Sequence, residues 1–261
     1  MKKAQPKAAK ATVGPSGDFD VLKDCEWIMK AMKGFGTNHE TLTTILTKRS
    51  SRQRVQIKRE YQKVYKLDLM EEFNGELSGD YLKTMLNLLK GRFEFDAQCL
   101  NEAIKQKEKG VSILVEILCT RSYSELQTIF DNYQQQFDES VDTFIEANFS
   151  GNLQRFILAL ANQAAPSKSN SNDGDEKVKI IEGATTLYDA LKGGVSDLEK
   201  LIDVFSSHDH IRLRSIFFEY EDMFESDLEP VISDCLKDDD TLKKALVGAG
   251  KLLMLSFANQ S

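Results

Sequence analysis

A glycine-rich turn and a distant carboxylate are the residues of this sequence whose types and spacing could do chemistry. Gly34 and Gly36 lie within the run Met-Lys-Gly-Phe-Gly-Thr, and Glu76 follows well downstream. Glycine adopts backbone conformations that other residues avoid, so the carbonyl oxygens of such a turn can point outward. Ca²⁺ takes about six to eight oxygen ligands, and three carbonyls with a bidentate Glu76 would supply about five of them. The pattern therefore predicts a calcium site that is weak alone and strengthens when a lipid phosphoryl oxygen replaces a bound water.

A plainer interpretation of the same residues stays open at this point. Gly34 could be no more than the residue that ends a helix, because glycine is common in that position. Glu76 could be an exposed acid near the next helix start. A Gly-x-Gly pair alone is a weak signal, so the choice depends on the rest of the chain.

Two later segments repeat the surroundings of this turn. Thr-Lys-Arg-Ser at 47–50 is echoed by Cys-Thr-Arg-Ser at 119–122, and the same spacing carries Tyr61 onto Tyr133. A third, fainter copy carries Tyr61 onto Tyr220. Agreement at many positions without a gap indicates that one unit has been duplicated.

The second copy keeps the core positions and loses the chemistry. Its residues at the positions of the two glycines and the acid are Gln106, Glu108 and Asn148. All three have changed together, which suggests that they served as one unit in the first copy.

The third copy keeps part of the pattern. Gly193 stands at the position of Gly34, whereas Cys235 stands at the position of Glu76. A one-residue slip in this stretch would offer Asp234 as the acid. We expect one working site, in the first copy, with Gly193 and Asp234 as secondary metal candidates.

The elements that must position these residues are short helices. The segments are a flexible basic tail at 1–19, a first repeat at 20–91, a second at 92–163, a polar linker at 164–179, and a third repeat at 180–261. Apolar residues recur at helical spacing and no alternating strand pattern occurs, so the predicted class is all-α, with about five helices in each copy. In the first helix the predicted inward residues are Leu22, Ile28, Met29 and Met32.

Capping signals predict where several helices begin. In chain order they are Thr37 with Glu40, Asp68, Ser78, Ser122 with Glu125, and Ser196 with Glu199. The paired signals are capping boxes, in which the hydroxyl and the glutamate each satisfy a free N–H of the first turn.

Composition excludes several classes of function. The formal net charge of −7 argues against a nucleic-acid partner, which normally requires a basic surface. The same charge means that a cation must bridge the protein to an acidic membrane. No apolar run reaches the length of a membrane span, the N-terminus lacks a signal-peptide core, and the four cysteines form no CxxC pair. We expect a cytoplasmic protein whose membrane contact is peripheral.

Nothing in the sequence forms a catalytic set, so we do not expect an enzyme. There is no phosphate-binding loop, no Rossmann turn and no nucleophile elbow. The run Ser207-His208-Asp209-His210 is predicted to be a polar turn, because two histidines and one acid in sequence do not make a triad. The three acids at 238–240 are predicted to cap the last helix.

Several motifs of the first copy resemble the annexin repeat. They are Met-Lys-Gly-Phe-Gly-Thr, Ile-Leu-Thr-Lys-Arg-Ser, Gln-Arg-x-x-Ile and Glu-Leu-Ser-Gly-Asp-Tyr. The resemblance covers residues 20–163 well and 180–258 more faintly. It implies right-handed five-helix repeats whose convex face carries the loops between the first and second and between the fourth and fifth helices.

The resemblance also implies a set of site residues. A type II calcium site would use the carbonyls of Met32, Gly34 and Gly36 with both oxygens of Glu76, and Lys33 would lie near the lipid headgroup. A minor neighbouring site in the family uses the carbonyl at the position of Thr37 and an acid two residues later. His39 stands at that acid's position here, and Glu40 is the neighbouring acid.

The family usually has four repeats, whereas three are recognisable in this chain. The linker and the residues after it resemble the family's second-to-third connection, so we expect the repeat without a counterpart here to be the fourth, either absent natively or lost by truncation. We expect an apolar flank on the first repeat that supports self-association or a protein partner. The predicted function is calcium-dependent binding of acidic phospholipid membranes. The alternative is a calcium-independent structural or cytoskeleton-associated scaffold.

Overall fold

A computed structural model of the chain describes residues 17–34, 36–163, 173–193, 197–237 and 239–255. The helices are α1 Val21–Met32, α2 His39–Lys48, α3 Ser51–Tyr65, α4 Leu69–Glu76, α5 Gly79–Leu88, α6 Arg92–Lys105, α7 Val111–Thr120, α8 Tyr123–Phe137, α9 Val141–Asn148, α10 Gly151–Ala161, α11 Asp173–Gly193, α12 Leu198–Ser206, α13 His210–Phe224, α14 Leu228–Cys235 and α15 Asp240–Leu255. A 3₁₀ turn, Lys107–Gly110, precedes α7. These residues contain no strand, and five helices fall in each repeat, so the predicted all-α class is confirmed.

The described chain divides into two compact units, one ending at Phe95 and one starting at Asp96. In the first unit, each of the five helices contributes apolar side chains to one buried cluster. Its fully buried members include Ile28, Leu42, Ile57, Phe73 and Leu89. Burial of this apolar area is the main force that holds the helices together.

One predicted inward residue of α1 is instead exposed. Ile28 and Met32 are buried and Met29 is partly buried, as the helical pattern predicts, whereas Leu22 is 57% exposed. The buried stripe of α1 runs through Cys25, Ile28 and Met32. Leu22 lies in the first turn and to one side of that stripe, so it does not reach the core.

The cap of α2 differs from the predicted capping box. Its N-cap is Asn38, whose side chain accepts the N–H of Thr41 at 3.0 Å. Thr37 is not the cap, because its hydroxyl donates to Glu76 instead.

The other predicted caps have mixed outcomes. Asp68 caps α4, accepting from the N–H groups of Met70 and Glu71. Ser122 and Glu125 form the predicted capping box of α8. Ser78 occupies the N-cap position of α5 but makes no side-chain cap hydrogen bond. Ser196 lies outside the described residues.

An ion pair between an arginine and a buried aspartate recurs at corresponding places in the first two repeats. In the first unit, Arg49 donates through Nε and Nη2 to both carboxylate oxygens of Asp24, at 2.6 and 3.0 Å. In the second unit, Arg121 donates to Asp96 through the same two nitrogens, at 2.7 and 3.1 Å. Bidentate geometry of this kind fixes both partners, so the duplication inferred from the sequence extends to a specific side-chain contact.

The first helix of the third repeat starts inside the predicted linker. The linker was expected to span 164–179, whereas α11 begins at Asp173. Arg212 of α13 donates through Nε and Nη2 to the two carboxylate oxygens of Glu176, at 2.7 and 2.8 Å. This ion pair holds the start of α11 against α13. The linker had been predicted from its low number of apolar residues, which gives no information on ion pairs. Residues 164–172 of the predicted linker and 1–16 of the predicted tail lie outside the described residues.

The predicted polar turns are present where they can be described. Asp209 caps α13 by accepting the N–H of Arg212 at 2.9 Å, and Asp239 caps α15 by accepting the N–H of Leu242 at 2.9 Å. All four cysteines are free, with Cys25 and Cys119 buried. Within the described ranges, no helix is long and apolar enough to cross a membrane.

Candidate calcium-binding site

The turn between α1 and α2 has the backbone geometry that its glycines predict. Helix α1 ends at Met32, and Lys33 is extended. Gly34 has φ +120° and Gly36 has φ +88°, conformations that residues with a side chain rarely adopt. No atom lies within 4 Å of an ideal Cβ at either position, so the backbone conformation, and not crowding, is what requires glycine.

Glu76 reaches this turn from the end of α4. The Thr37 hydroxyl donates to Glu76 Oε2 at 3.1 Å. Glu76 is exposed, and the hydrogen bond holds its carboxylate beside the α1–α2 turn. The structure therefore brings together the two parts of the predicted site, although they are far apart in sequence.

The carbonyls of the turn fall into two groups. The Ala31 carbonyl accepts the Asn38 N–H at 2.8 Å, and the Thr37 carbonyl accepts the His39 N–H at 3.1 Å. Among the described residues, no backbone hydrogen bond outside the helices uses the carbonyls of Met32, Gly34 or Gly36. These three are the carbonyls that the resemblance to the annexin repeat implies as ligands.

The turn carbonyls and the Glu76 carboxylate are oxygen donors that suit a hard cation, which they would bind with moderate affinity. Ca²⁺ accepts backbone carbonyl and carboxylate oxygens together. In the part of the chain that the structure describes, no group of three or more His, Cys, Asp or Glu is arranged to hold a metal. A cation at this turn would therefore depend on backbone carbonyls and a single carboxylate.

The other predicted residues of the first repeat surround the turn. Lys33 is exposed, as a headgroup contact requires, and Glu40 is exposed in the first turn of α2. The Thr37 carbonyl, a ligand of the family's minor site, already accepts one N–H, and His39 stands where that minor site has its acid.

Sequence reasoning missed one contact next to the site. The rings of His39 and Tyr81 stack with centroids 4.4 Å apart, and the Tyr81 hydroxyl donates to the His39 carbonyl at 2.9 Å. Tyr81 belongs to the motif Glu-Leu-Ser-Gly-Asp-Tyr, but its type alone gave no reason to pair it with His39.

The corresponding turn of the second repeat is closed on itself. The Gln106 carbonyl accepts the Lys109 N–H at 3.3 Å, and the Glu108 carbonyl accepts the Val111 N–H. Asn148, at the position of Glu76, donates its side-chain amide to the Phe144 carbonyl at 2.9 Å. The backbone oxygens that correspond to those of Gly34 and Gly36 are already occupied in this repeat.

The third repeat places a thiol where the first has a carboxylate. Cys235 Sγ donates to the Leu191 carbonyl at 3.1 Å, and Leu191 corresponds to Met32. Gly193 is exposed at the end of α11, and Asp234 pairs with Lys237 at 3.4 Å on the surface. The stretch 194–196 lies outside the described residues.

Comparisons with known proteins agree with these features. The sequence profile of the family Annexin matches residues 23–88, 95–160 and 182–249. The chain is 37% identical to annexin A13 of Canis lupus familiaris over 218 residues, which cover 82% of this chain and 67% of that protein. It is 36% identical to annexin A13 of Homo sapiens over 230 residues, covering 87% and 70%.

A solved structure gives the same result for the fold. Chicken annexin V, determined in complex with Zn²⁺, is 29% identical and superposes with a TM-score of 0.79. The match covers 96% of this chain and 77% of the chicken protein. Annexins generally bind phospholipid in a calcium-dependent manner and are generally not enzymes. With three profile matches and these relatives, the chain belongs to the annexin family.

Proposed function

We propose that this protein binds Ca²⁺ through its first repeat and thereby binds acidic phospholipid membranes. The ligands are the carbonyl oxygens of Met32, Gly34 and Gly36 and the carboxylate of Glu76. The observation that carries the proposal is the contrast between repeats. The first has an open glycine turn facing a carboxylate, whereas the second has a turn whose carbonyls are already hydrogen-bonded.

The calcium ion supplies positive charge and open coordination positions that a lipid phosphoryl oxygen can fill. The protein needs this charge because its own net charge is −7. Lys33 is exposed beside the turn and adds one positive side chain that can contact an acidic headgroup. One site gives modest affinity, so binding is reversible and peripheral, at the cytoplasmic face of a membrane.

Cosedimentation with vesicles of phosphatidylcholine and phosphatidylserine tests this function. We expect the wild-type protein to pellet with vesicles in calcium and to return to the supernatant when a chelator is added. Glu76→Gln should weaken the binding strongly, because it removes the only carboxylate of the site.

Glu71→Gln is the matched control for this variant. Glu71 is an exposed acid on the same helix, α4, so the control changes the net charge equally without touching the turn. Equal binding by wild type and Glu76→Gln would contradict the assignment of the site.

A calcium-independent scaffold is the second candidate function. The closed turn of the second repeat favours it, and so does the Cys235 thiol of the third, because neither repeat has a carboxylate at the position of Glu76. The same experiment separates the two candidates. Association with vesicles or a filament that is unaffected by the chelator would favour the scaffold.

Self-association is a further part of the proposal. Several apolar side chains of the first unit are exposed, including Leu22 at 57%, Trp27 at 41% and Val64 at 45%. Contact between copies would cover such residues and would raise membrane affinity through multivalency. A monodisperse monomer in light scattering, with and without calcium, would contradict this part alone.

A further inference from the structure

Tyr81 connects the two turns that form the candidate site. It lies in the first turns of α5, a few residues after Glu76, whereas its partner His39 is the first residue of α2. The two rings stack at 4.4 Å with an interplanar angle of 25°. We call this pair, with its hydrogen bonds, the His39–Tyr81 clasp.

The hydroxyl of Tyr81 makes two hydrogen bonds in the clasp. It donates its single proton to the His39 carbonyl at 2.9 Å. Its 3.1 Å contact with Thr43 Oγ1 must therefore be a bond that it accepts from the threonine. Both partners belong to α2, so the hydroxyl ties the start of α5 to the start of α2.

The clasp is present only in the repeat that has the open turn. In the second repeat, the positions of His39 and Tyr81 hold Val111 and Leu153. In the third, Leu198 is the first residue of α12, as His39 is of α2, and Leu242 is the third residue of α15, as Tyr81 is of α5. Neither pair can reproduce the stack or the hydroxyl bond, although the helices that carry them are present in all three repeats. The clasp therefore occurs in the repeat that has both glycines and Glu76, whereas the five-helix fold occurs in all three repeats.

We infer that Tyr81 is a positioning residue for the calcium site, and that the clasp sets the distance between the α1–α2 turn and the Glu76 carboxylate. This inference rests on the proposed function. A site whose ligands come from two turns loses affinity if those turns must be ordered when the cation binds. The clasp fixes them beforehand without using any of the predicted ligand oxygens.

Tyr81→Phe tests the inference because it keeps the ring and removes only the hydroxyl. We expect the calcium concentration for half-maximal vesicle binding to rise about threefold to tenfold, the range given by loss of a net hydrogen bond. A second readout needs no calcium. Amide hydrogen exchange at 36–39 should become faster in the variant, since the turn is less well held.

Tyr65→Phe is the matched control, because Tyr65 is a partly buried tyrosine of the same unit whose ring packs on Tyr61 of its own helix, α3. It should change neither readout. His39→Ala removes the stack at an exposed position and serves if Tyr81→Phe fails to fold. It should raise the half-maximal calcium concentration about twofold or more.

The outcomes separate the inference from the function on which it rests. Calcium-dependent binding by wild type, with an unchanged calcium requirement in folded Tyr81→Phe, would overturn the role of the clasp and leave the proposed function standing. If Tyr81→Phe is unfolded, an unchanged calcium requirement in His39→Ala would likewise overturn the role of the clasp. A wild-type protein that shows no calcium-dependent binding would overturn both.

Discussion

The hydroxyl of Thr37 lies 3.1 Å from Oε2 of Glu76, and this hydrogen bond joins the α1–α2 turn to the end of α4. The interaction has a direction. The threonine hydroxyl is the donor and the carboxylate oxygen of Glu76 is the acceptor. The hydrogen bond also orients an exposed side chain that would otherwise sample several rotamers. Thr37 therefore contacts the candidate site through its side chain, whereas the sequence had suggested it as a helix cap.

Thr37→Val should weaken calcium-dependent membrane binding without abolishing it. The substitution keeps the side-chain shape and removes the donor to Glu76. We expect the calcium concentration for half-maximal vesicle binding to rise about twofold to fivefold, as the loss of one exposed hydrogen bond predicts. Thr47→Val is the control, because its hydroxyl donates to the Thr43 carbonyl within α2. An effect of the control as large as that of Thr37→Val would contradict the assigned role.

Gly36→Ala should cost both stability and calcium affinity. Gly36 has φ +88°, and an alanine held there carries strain of about 1 kcal/mol or more. If the turn relaxes to relieve that strain, its carbonyls leave the arrangement that faces Glu76. We expect a lower thermal midpoint and a calcium requirement raised about tenfold.

Gly75→Ala is the control for that prediction. Gly75 lies in α4 next to Glu76, and no atom is within 4 Å of an ideal Cβ there. Alanine is more favourable than glycine in the interior of a helix, so this variant should be neutral or slightly stabilising. A calcium requirement unchanged in Gly36→Ala would show that the turn tolerates a side chain and that its glycine conformation is not needed for binding.

Asn148→Glu should not create a calcium site in the second repeat. It restores the acid at the position of Glu76, but the carbonyls of Gln106 and Glu108 already accept backbone hydrogen bonds. The backbone, and not only the acid, is what this repeat lacks. The measurement is the number of calcium ions bound per chain in isothermal titration with vesicles present. A stoichiometry increased by one would contradict this explanation.

The all-α fold was predictable from the sequence, and the candidate site could be selected from it, because both depend on repeated local patterns. Helical spacing of apolar residues indicates the buried face of each helix, and comparing repeats shows which polar positions vary together. Gly34, Gly36 and Glu76 were selected on that basis. The structure then placed Glu76 beside the turn, through a bond to Thr37 that the sequence pattern had not suggested.

Contacts between distant polar side chains were not predictable in the same way. Thr37 had two possible partners for its hydroxyl, a local N–H and a remote carboxylate, and local spacing favoured the wrong one. The His39–Tyr81 clasp and the Glu176–Arg212 pair join residues on different helices. Such contacts depend on how the helices pack, and residue types alone do not define that.

His210 gives the fold a dependence on pH that is separate from the candidate calcium site. It is the first residue of α13 and only 8% exposed. Burial lowers its pKa from 6.5 to about 4, although the Asp209 charge and a backbone hydrogen bond to Leu118 act in the opposite direction. Between these two values the unfolded chain binds a proton at His210 that the folded chain does not bind. Stability must therefore fall as the pH decreases through this range.

The difference between the two pKa values corresponds to roughly 3 kcal/mol of folding free energy lost between about pH 6.5 and pH 4. His210→Gln should remove this contribution, because glutamine cannot take up the proton and can still donate to a carbonyl. Urea unfolding followed by far-ultraviolet circular dichroism at several pH values measures it, and carboxylates that titrate in the same range cancel in the comparison of variant with wild type. We expect the stability of the variant to decrease less steeply with falling pH. Parallel pH profiles for the two proteins would show that His210 is not the group responsible.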